Sequence, residues 1–297
     1  MKLLAAFLVL VPLAFGEMHQ VWEVRLGNKI KEPPGWGTLK RRELQDIAFS
    51  PDGKLLAVTI DDHAGPATIG THVLVMDVAT PAADIRQYDV GTCGAPLEWS
   101  PGGDAILVCG YVLRFPGGTA CSTIEPRSAN LPPLFPIFRD QLSHEFWRDS
   151  THIVQIELDG ASVLDKDCHK QPATREEILD LERASRKMPS GWPPEALQDY
   201  IVVSASRDRL RVLVEHHGFS SLHHIDLLAQ LTDDPKPVDR RLVWDVGTAR
   251  EIAAWKPFKQ PYSPAVTVHP YRNCALSSDG QFVAEGGDGV VRLYRLD

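Results

Sequence analysis

Apolar and polar positions fall into short runs of three to seven residues, broken by turns rich in Ser, Pro, Asp and Gly. The clearest case closes the chain. Cys274-Ala275-Leu276 meets Ser277-Ser278-Asp279-Gly280, Phe282 to Ala284 meets Gly286-Gly287-Asp288-Gly289, and Val290 to Leu296 follows. Asp-Gly supplies the positive φ that tight turns between strands need, so the pattern predicts three antiparallel strands. So small a meander cannot bury a face alone and calls for neighbours of its own kind.

Those neighbours are in the sequence. Ile47 to Val58 repeats strand, Ser50-Pro51-Asp52-Gly53 turn and strand, with further strands over His72 to Val78 and Asp84 to Val90. Leu97 to Cys109 repeats it again, followed by Tyr111 to Phe115. Glu145 to Ile156 is a weaker copy, backed by Ala161 to Asp165. A fourth begins at Tyr200, turns at Ser206-Arg207-Asp208 and runs to Val214, with outer strands at Leu242 to Val246 and Glu251 to Trp255. Five such signals predict an all-β repeat architecture of four-stranded units. The long spacings leave room for a sixth or seventh unit. Two unrelated β-sandwich domains sharing turn chemistry are the alternative.

Three segments depart from the repeat. Residues 27–42, with Gly27, Pro33, Pro34, Gly35 and Gly37, read as a loop. Gln171 to Trp192 reads as a helical insertion, with Thr174-Arg175-Glu176-Glu177 as a capping box and Pro193-Pro194 beyond its end. The closing unit also has only three strands. Residues 20–26, including Val21, Trp22, Val24 and Leu26, match residues 290–296 in pattern and are expected to pair with them as the fourth.

Composition narrows the setting. Of 297 residues 43% are hydrophobic, and 39 acidic against 31 basic side chains give a net charge of -8. That sign repels phosphate backbones and argues against nucleic-acid binding. Lys2 and the apolar run Leu3 to Phe15 form a secretory signal pattern, with Ala14 and Gly16 placed for cleavage before Glu17. The expected organisation is therefore a signal peptide over 1–16 and one domain over 17–297. That product is a secreted or periplasmic monomer with no integral membrane segment after cleavage. Five cysteines in an oxidising compartment leave at least one thiol over. Cys93–Cys109 is one candidate bridge, Cys109–Cys121 its rival, and buried free thiols a third reading.

Candidate chemistry is sparse. Glu215 to Asp226 carries His216, His217, His223 and His224. A hairpin centred on Ser220 would set His217 opposite His223 and His216 opposite His224, a pairing suited to zinc or copper but lacking a third ligand. Solvated histidines on an outer hairpin are the plainer reading. Gly218 to Leu222 is no nucleophile elbow, and no phosphate loop or dinucleotide fingerprint appears, so no cofactor is expected. Asp52, Asp208, Asp279 and Asp288 sit where turns favour Asp for local bonding. Trp99, Trp147, Trp244 and Trp255 fall on strands, where packing between units explains them.

Ala48-Phe49-Ser50-Pro51-Asp52-Gly53-Lys54-Leu55-Leu56-Ala57 resembles the inner half of a WD40-type β-propeller blade. Val243-Trp244-Asp245-Val246 resembles the family's third strand with its namesake Trp-Asp. Val75-Met76-Asp77-Val78 and Val291-Arg292-Leu293-Tyr294 resemble the same element. The likeness covers roughly residues 43–115 and 200–297. The family's Gly-His dipeptide is missing, so its Asp–His–Ser/Thr–Trp tetrad cannot be assembled. The resemblance implies a degenerate, secreted WD40-like propeller, acting as a non-catalytic scaffold for a protein, glycan or small-molecule ligand. An enzyme of dehydrogenase, lyase or hydrolase type with its site in the central channel is the alternative, and metal binding through the His216–His224 cluster a third. The channel lining separates the first two: converging His, Asp and Arg side chains would favour catalysis, and apolar side chains and backbone a scaffold.

Overall fold

Short β-branched and aromatic runs between Asp- and Gly-bearing turns give antiparallel strands rather than helices. The computed structural model describes residues 18–26, 30, 41–64, 67–91, 97–108, 110–115, 117–123, 144–157, 160–172, 200–217, 238–257, 273–287 and 289–297. Among them every regular element is a strand, in five antiparallel sheets of four. Sheet 1 contains β2 (Arg41–Phe49), β3 (Leu55–Ala64), β4 (Ala67–Asp77) and β5 (Arg86–Asp89), in that order. Beginning with Met18–Arg25 as β1, the same chain-order numbering continues. Sheet 2 contains β6 (Glu98–Trp99), β7 (Ala105–Val108), β8 (Tyr111–Arg114) and β9 (Gly118–Ser122). Sheet 3 contains β10 (His144–Trp147), β11 (His152–Glu157), β12 (Gly160–Asp165) and β13 (Lys170–Pro172). Sheet 4 contains β14 (Tyr200–Ala205), β15 (Arg211–His217), β16 (Val238–Asp245) and β17 (Arg250–Trp255).

Sheet 5 is built from both ends of the chain. β18 (Cys274–Leu276), β19 (Phe282–Gly287) and β20 (Val290–Leu296) are joined on the outer side by β1. Their register sets Trp22 against Leu293, Val24 against Val291 and Arg25 against Val290. Glu23 accepts a hydrogen bond from Arg292 Nε at 2.7 Å, and Trp22 Nε1 donates to the Val78 carbonyl of sheet 1 at 2.8 Å.

The sheets stand face against face. Sheets 1 and 5 share a core of Leu56, Val58, Ile60 and Leu74 with Val24, Leu26, Val291 and Leu293. Sheets 1 and 2 meet through Val73, Val75, Trp99 and Ile106, sheets 2 and 3 through Leu107, Val112, Trp147 and Ile153, and sheets 4 and 5 through Leu213, Val243, Leu276 and Val283. Along this row the first strands touch in the order β10, β6, β2, β18, β14. Tryptophans tie it together: Trp99 Nε1 donates to the Ala48 carbonyl at 3.1 Å and Trp147 Nε1 to the Glu98 carbonyl at 3.2 Å. Both end a first strand and reach back to the preceding sheet. Gly286 allows closer approach still, because a Cβ there would sit 2.3 Å from Leu44 Cδ1.

Several expectations are corrected. Residues 41 and 42 belong to β2 rather than to a loop, and β3 and β4 run on to Ala64 and back from Ala67. Gln171 and Pro172, expected to open a helix, lie in β13, where Val163 pairs with Gln171. The rest of the expected helix, from residue 173, lies outside the described residues. The rival bridge Cys109–Cys121 is overturned, because Cys121 is bonded to Cys168. Cys93 and Cys109 lie outside the described residues, and Cys274 is a buried free thiol.

Candidate binding site

The first strands β2, β14 and β18, with Leu97 and Pro101 on either side of β6, contribute to the wall of a cavity of about 410 Å³. The wall is mainly Ile47, Ala48, Phe49, Leu97, Val203, Ala205, Ala275 and Leu276, with Ser50, Pro51, Pro101, Arg207 and Ser278 from the turns.

Three polar groups on this wall, Asp46, Ser204 and Cys274, are engaged with their surroundings. Asp46 follows an irregularity in β2, and its carboxylate accepts the amide of Ile47 at 2.8 Å and that of Leu97, across in sheet 2, at 2.7 Å. Ser204 follows the equivalent irregularity in β14, and its hydroxyl accepts the Leu276 amide of sheet 5 at 3.3 Å. Burial pushes the Cys274 thiol well above its ordinary range, so it stays protonated and its sulfur donates to Glu215 Oε1 at 3.4 Å. A protonated buried thiol is no nucleophile.

Two buried polar clusters lie between the sheets. Between sheets 4 and 5, Arg241 is 2% exposed. It donates from Nε to Glu215 at 2.7 Å, from Nη1 to Glu285 at 2.6 Å and from Nη2 to the Asn273 side chain. Trp255 Nε1 adds a donor to Glu285 Oε2 at 3.1 Å, and Asn273 donates to the Gly286 carbonyl at 2.8 Å. One guanidinium thus answers two buried carboxylates, with neutral donors filling the remaining acceptor positions.

The second cluster sits where β2, β3 and β4 run on. On one face His72 places Nδ1 2.6 Å from Asp89 and Nε2 3.1 Å from Asp62, whose other oxygen accepts Arg42 Nε at 3.0 Å. On the opposite face Asp61 pairs across the strands with Glu43, accepts the Thr71 hydroxyl at 2.6 Å, and shares its surroundings with His63, itself 3.3 Å from Glu43. Burial raises the Asp61 carboxyl from 3.8 to about 7, against the opposing pull of the Thr71 hydrogen bond.

That has a consequence for stability. Between about pH 4 and pH 7 the folded chain keeps a proton that the unfolded chain has released, so stability falls as pH rises through this window. Above it the loss is on the order of 4 kcal/mol. Asp61→Asn removes the titration while keeping an acceptor for Thr71. Thermal melts should find this variant several degrees above wild type at pH 8, with the two converging near pH 4.

The expected histidine hairpin is not formed by His216 and His217. β15 is already flanked on both sides: His216 pairs with Tyr200 in β14 and Arg240 in β16, and His217 pairs with Val238. The His216 ring packs 5.3 Å from that of Tyr200. His223 and His224 lie outside the described residues. Asp165, Asp167 and His169, which the sequence did not single out, bring ligand atoms within 4.8 Å of one another on an exposed turn. Their groups serve the turn: Asp165 accepts the amides of Asp167 and His169, and Asp167 pairs with Arg114.

No family model matches the chain, and no curated protein does. Among solved structures it is similar to a chain described as "Crystal Structure of Mitotic Checkpoint Complex", with 10% identity and a TM-score of 0.34 over 90% of this chain and 95% of that one. A superposition so loose decides neither fold nor partner.

Proposed function

We propose that the five sheets are the blades of a WD40-like β-propeller, exported across a membrane, which works as a non-catalytic scaffold for a protein partner. The five four-stranded sheets, their stacking through first strands and the pairing of β1 with β20 support the ring. In such a ring β1 latches the seam between the two ends of the chain. The observation that carries the scaffold reading is the cavity wall. Its side chains are mainly apolar, Asp46, Ser204 and Cys274 are occupied with neighbouring strands or protonated, and the remaining charged group, Arg207, is a fixed cation that neither gives nor takes a proton near neutral pH. Catalysis needs groups whose protons or charge are free for a substrate, and hydrogen bonds within the framework hold these in place instead.

The test is an activity screen of the mature protein against esters, glycosides, phosphate esters and alcohols supplied with an electron acceptor. No turnover is expected. Turnover that disappears in Ala205→Phe, a variant filling the cavity, with its unfolding midpoint unchanged, would overturn the scaffold in favour of a channel enzyme.

A further inference from the structure

The turn after the first strand is built the same way in sheets 1, 2, 4 and 5. Ser50, Ser100, Ser206 and Ser277 each accept an amide three residues on: Gly53 and Gly103 at 2.8 Å, Arg209 and Gly280 at 2.9 Å. Each serine hydroxyl also accepts the amide that opens the next strand, at Leu55, Ala105, Arg211 and Phe282. The third residue after the serine is left-handed in all four, with φ of 71° at Gly53, 73° at Gly103, 59° at Arg209 and 68° at Gly280. Glycine meets that requirement without strain in three turns. The fourth holds it with an arginine, whose Cβ opposes it.

Among the described residues, two other non-glycine residues share this conformation. Cys168 is tied by its disulfide, and Ala249 lies in the turn that Asp245 caps through Thr248. Arg209 alone occupies a place that sister turns in the same chain give to glycine. It is also one of three departures in five residues. Arg207 stands where the others have Pro51, Pro101 and Ser278, and Leu210 where they have Lys54, Asp104 and Gln281. Leu210 is 52% exposed. The serine and aspartate that build the turn are kept, since Ser206 donates to Asp208 at 2.6 Å. What has changed is what the turn displays.

From these departures we infer that the fourth turn is the contact point for an acidic, apolar segment of the partner protein. Among the described residues neither the Arg207 nor the Arg209 guanidinium has a hydrogen-bond or ion-pair partner, whereas neighbouring Arg211 is held on the Gly280 carbonyl at 2.7 Å. Asp208, the one acid of the turn, is spent on Ser206 and the Leu210 amide. In a chain of net charge -8 this turn is locally positive, and Arg207 stands at the cavity itself. Two guanidiniums offer planar, paired donors to carboxylates, and the exposed leucine between Arg209 and Arg211 offers apolar area. A partner segment carrying Asp or Glu around an apolar side chain satisfies both.

The inference rests on the scaffold reading and has its own test. Random peptides displayed on phage are selected on the mature protein. A variant gives the fourth turn the fifth turn's residues: Arg207→Ser, Arg209→Gly, Leu210→Gln. Selected peptides should combine Asp or Glu with apolar residues and bind the variant at least about tenfold more weakly, and added salt should weaken their binding to the wild type. The variant should melt at or above the wild-type temperature, because glycine relieves the backbone at position 209. No enrichment, enrichment without acidic residues, or equal binding to the variant overturns the inference. So does retention on phosphatidylglycerol vesicles that the variant loses while no peptide is enriched, which would assign the turn to a membrane. Peptides that bind elsewhere remove the turn but leave the scaffold, whereas turnover in the activity screen removes the scaffold itself.

Discussion

Arg241→Met is expected to lower folding stability by about 3–5 kcal/mol, the usual cost of stranding buried charge. Arg241 is the cation facing Glu215 and Glu285 between sheets 4 and 5, and all three are nearly inaccessible to water. Without it, two buried carboxylates lose their shared cation, and the neutral donors of Trp255 and Cys274 cannot replace its charge. The cheapest escape is for one to take up a proton. Urea unfolding should therefore find the deficit smaller at pH 5 than at pH 8. A triple variant, Arg241→Met with Glu215→Gln and Glu285→Gln, should recover much of the loss, because the charges are then removed together. A single variant as stable as wild type would mean that water or a residue outside the described set already serves the carboxylates.

Deletion of residues 17–27 is expected to lower the unfolding midpoint as sharply. Val24 and Leu26 are buried in the core shared by sheets 1 and 5, and each is worth about 1.5–3 kcal/mol when fully buried. The bonds from Trp22 to Val78 and from Arg292 to Glu23 go with them. The deletion also bares β20 as an open edge, which invites pairing between copies. Differential scanning calorimetry with size-exclusion chromatography should record a lower midpoint and association. An unchanged midpoint would contradict the role of β1 as a latch.

What could be read from residues alone was whatever is written locally. Ser50-Pro51-Asp52-Gly53 and its copies carry their geometry within five residues, and β1 follows from counting three strands at the chain's end where four are needed. The outer strands β9 of sheet 2 and β13 of sheet 3 were hardest, because both are short and largely polar, with nothing in Lys170-Gln171-Pro172 to mark a strand. The buried charges were missed for a different reason. Glu215, Arg241 and Glu285 lie far apart in sequence, and they are neutralised only when β15 pairs with β16 and sheet 4 packs on sheet 5. In a single strand such residues look solvated. Asp61 and Asp62 looked like the end of β3 on the same logic, although the strand continues with both carboxylates buried. The histidine cluster misled through its symmetry. A palindrome about Ser220 suggests a hairpin, and the long β16 takes that position at His216 and His217 instead.

A five-bladed ring requires sheets 3 and 4 to be neighbours, as sheets 1 and 5 are. The direct test is a distance between spin labels on the turns of sheets 3 and 4, at Arg148 and Arg207, compared with one between labels at Asp52 and Asp279 on sheets 1 and 5. A closed ring of five gives matching distances. A distance between Arg148 and Arg207 longer by the width of a sheet or more would contradict it, by opening the ring or admitting a sixth blade.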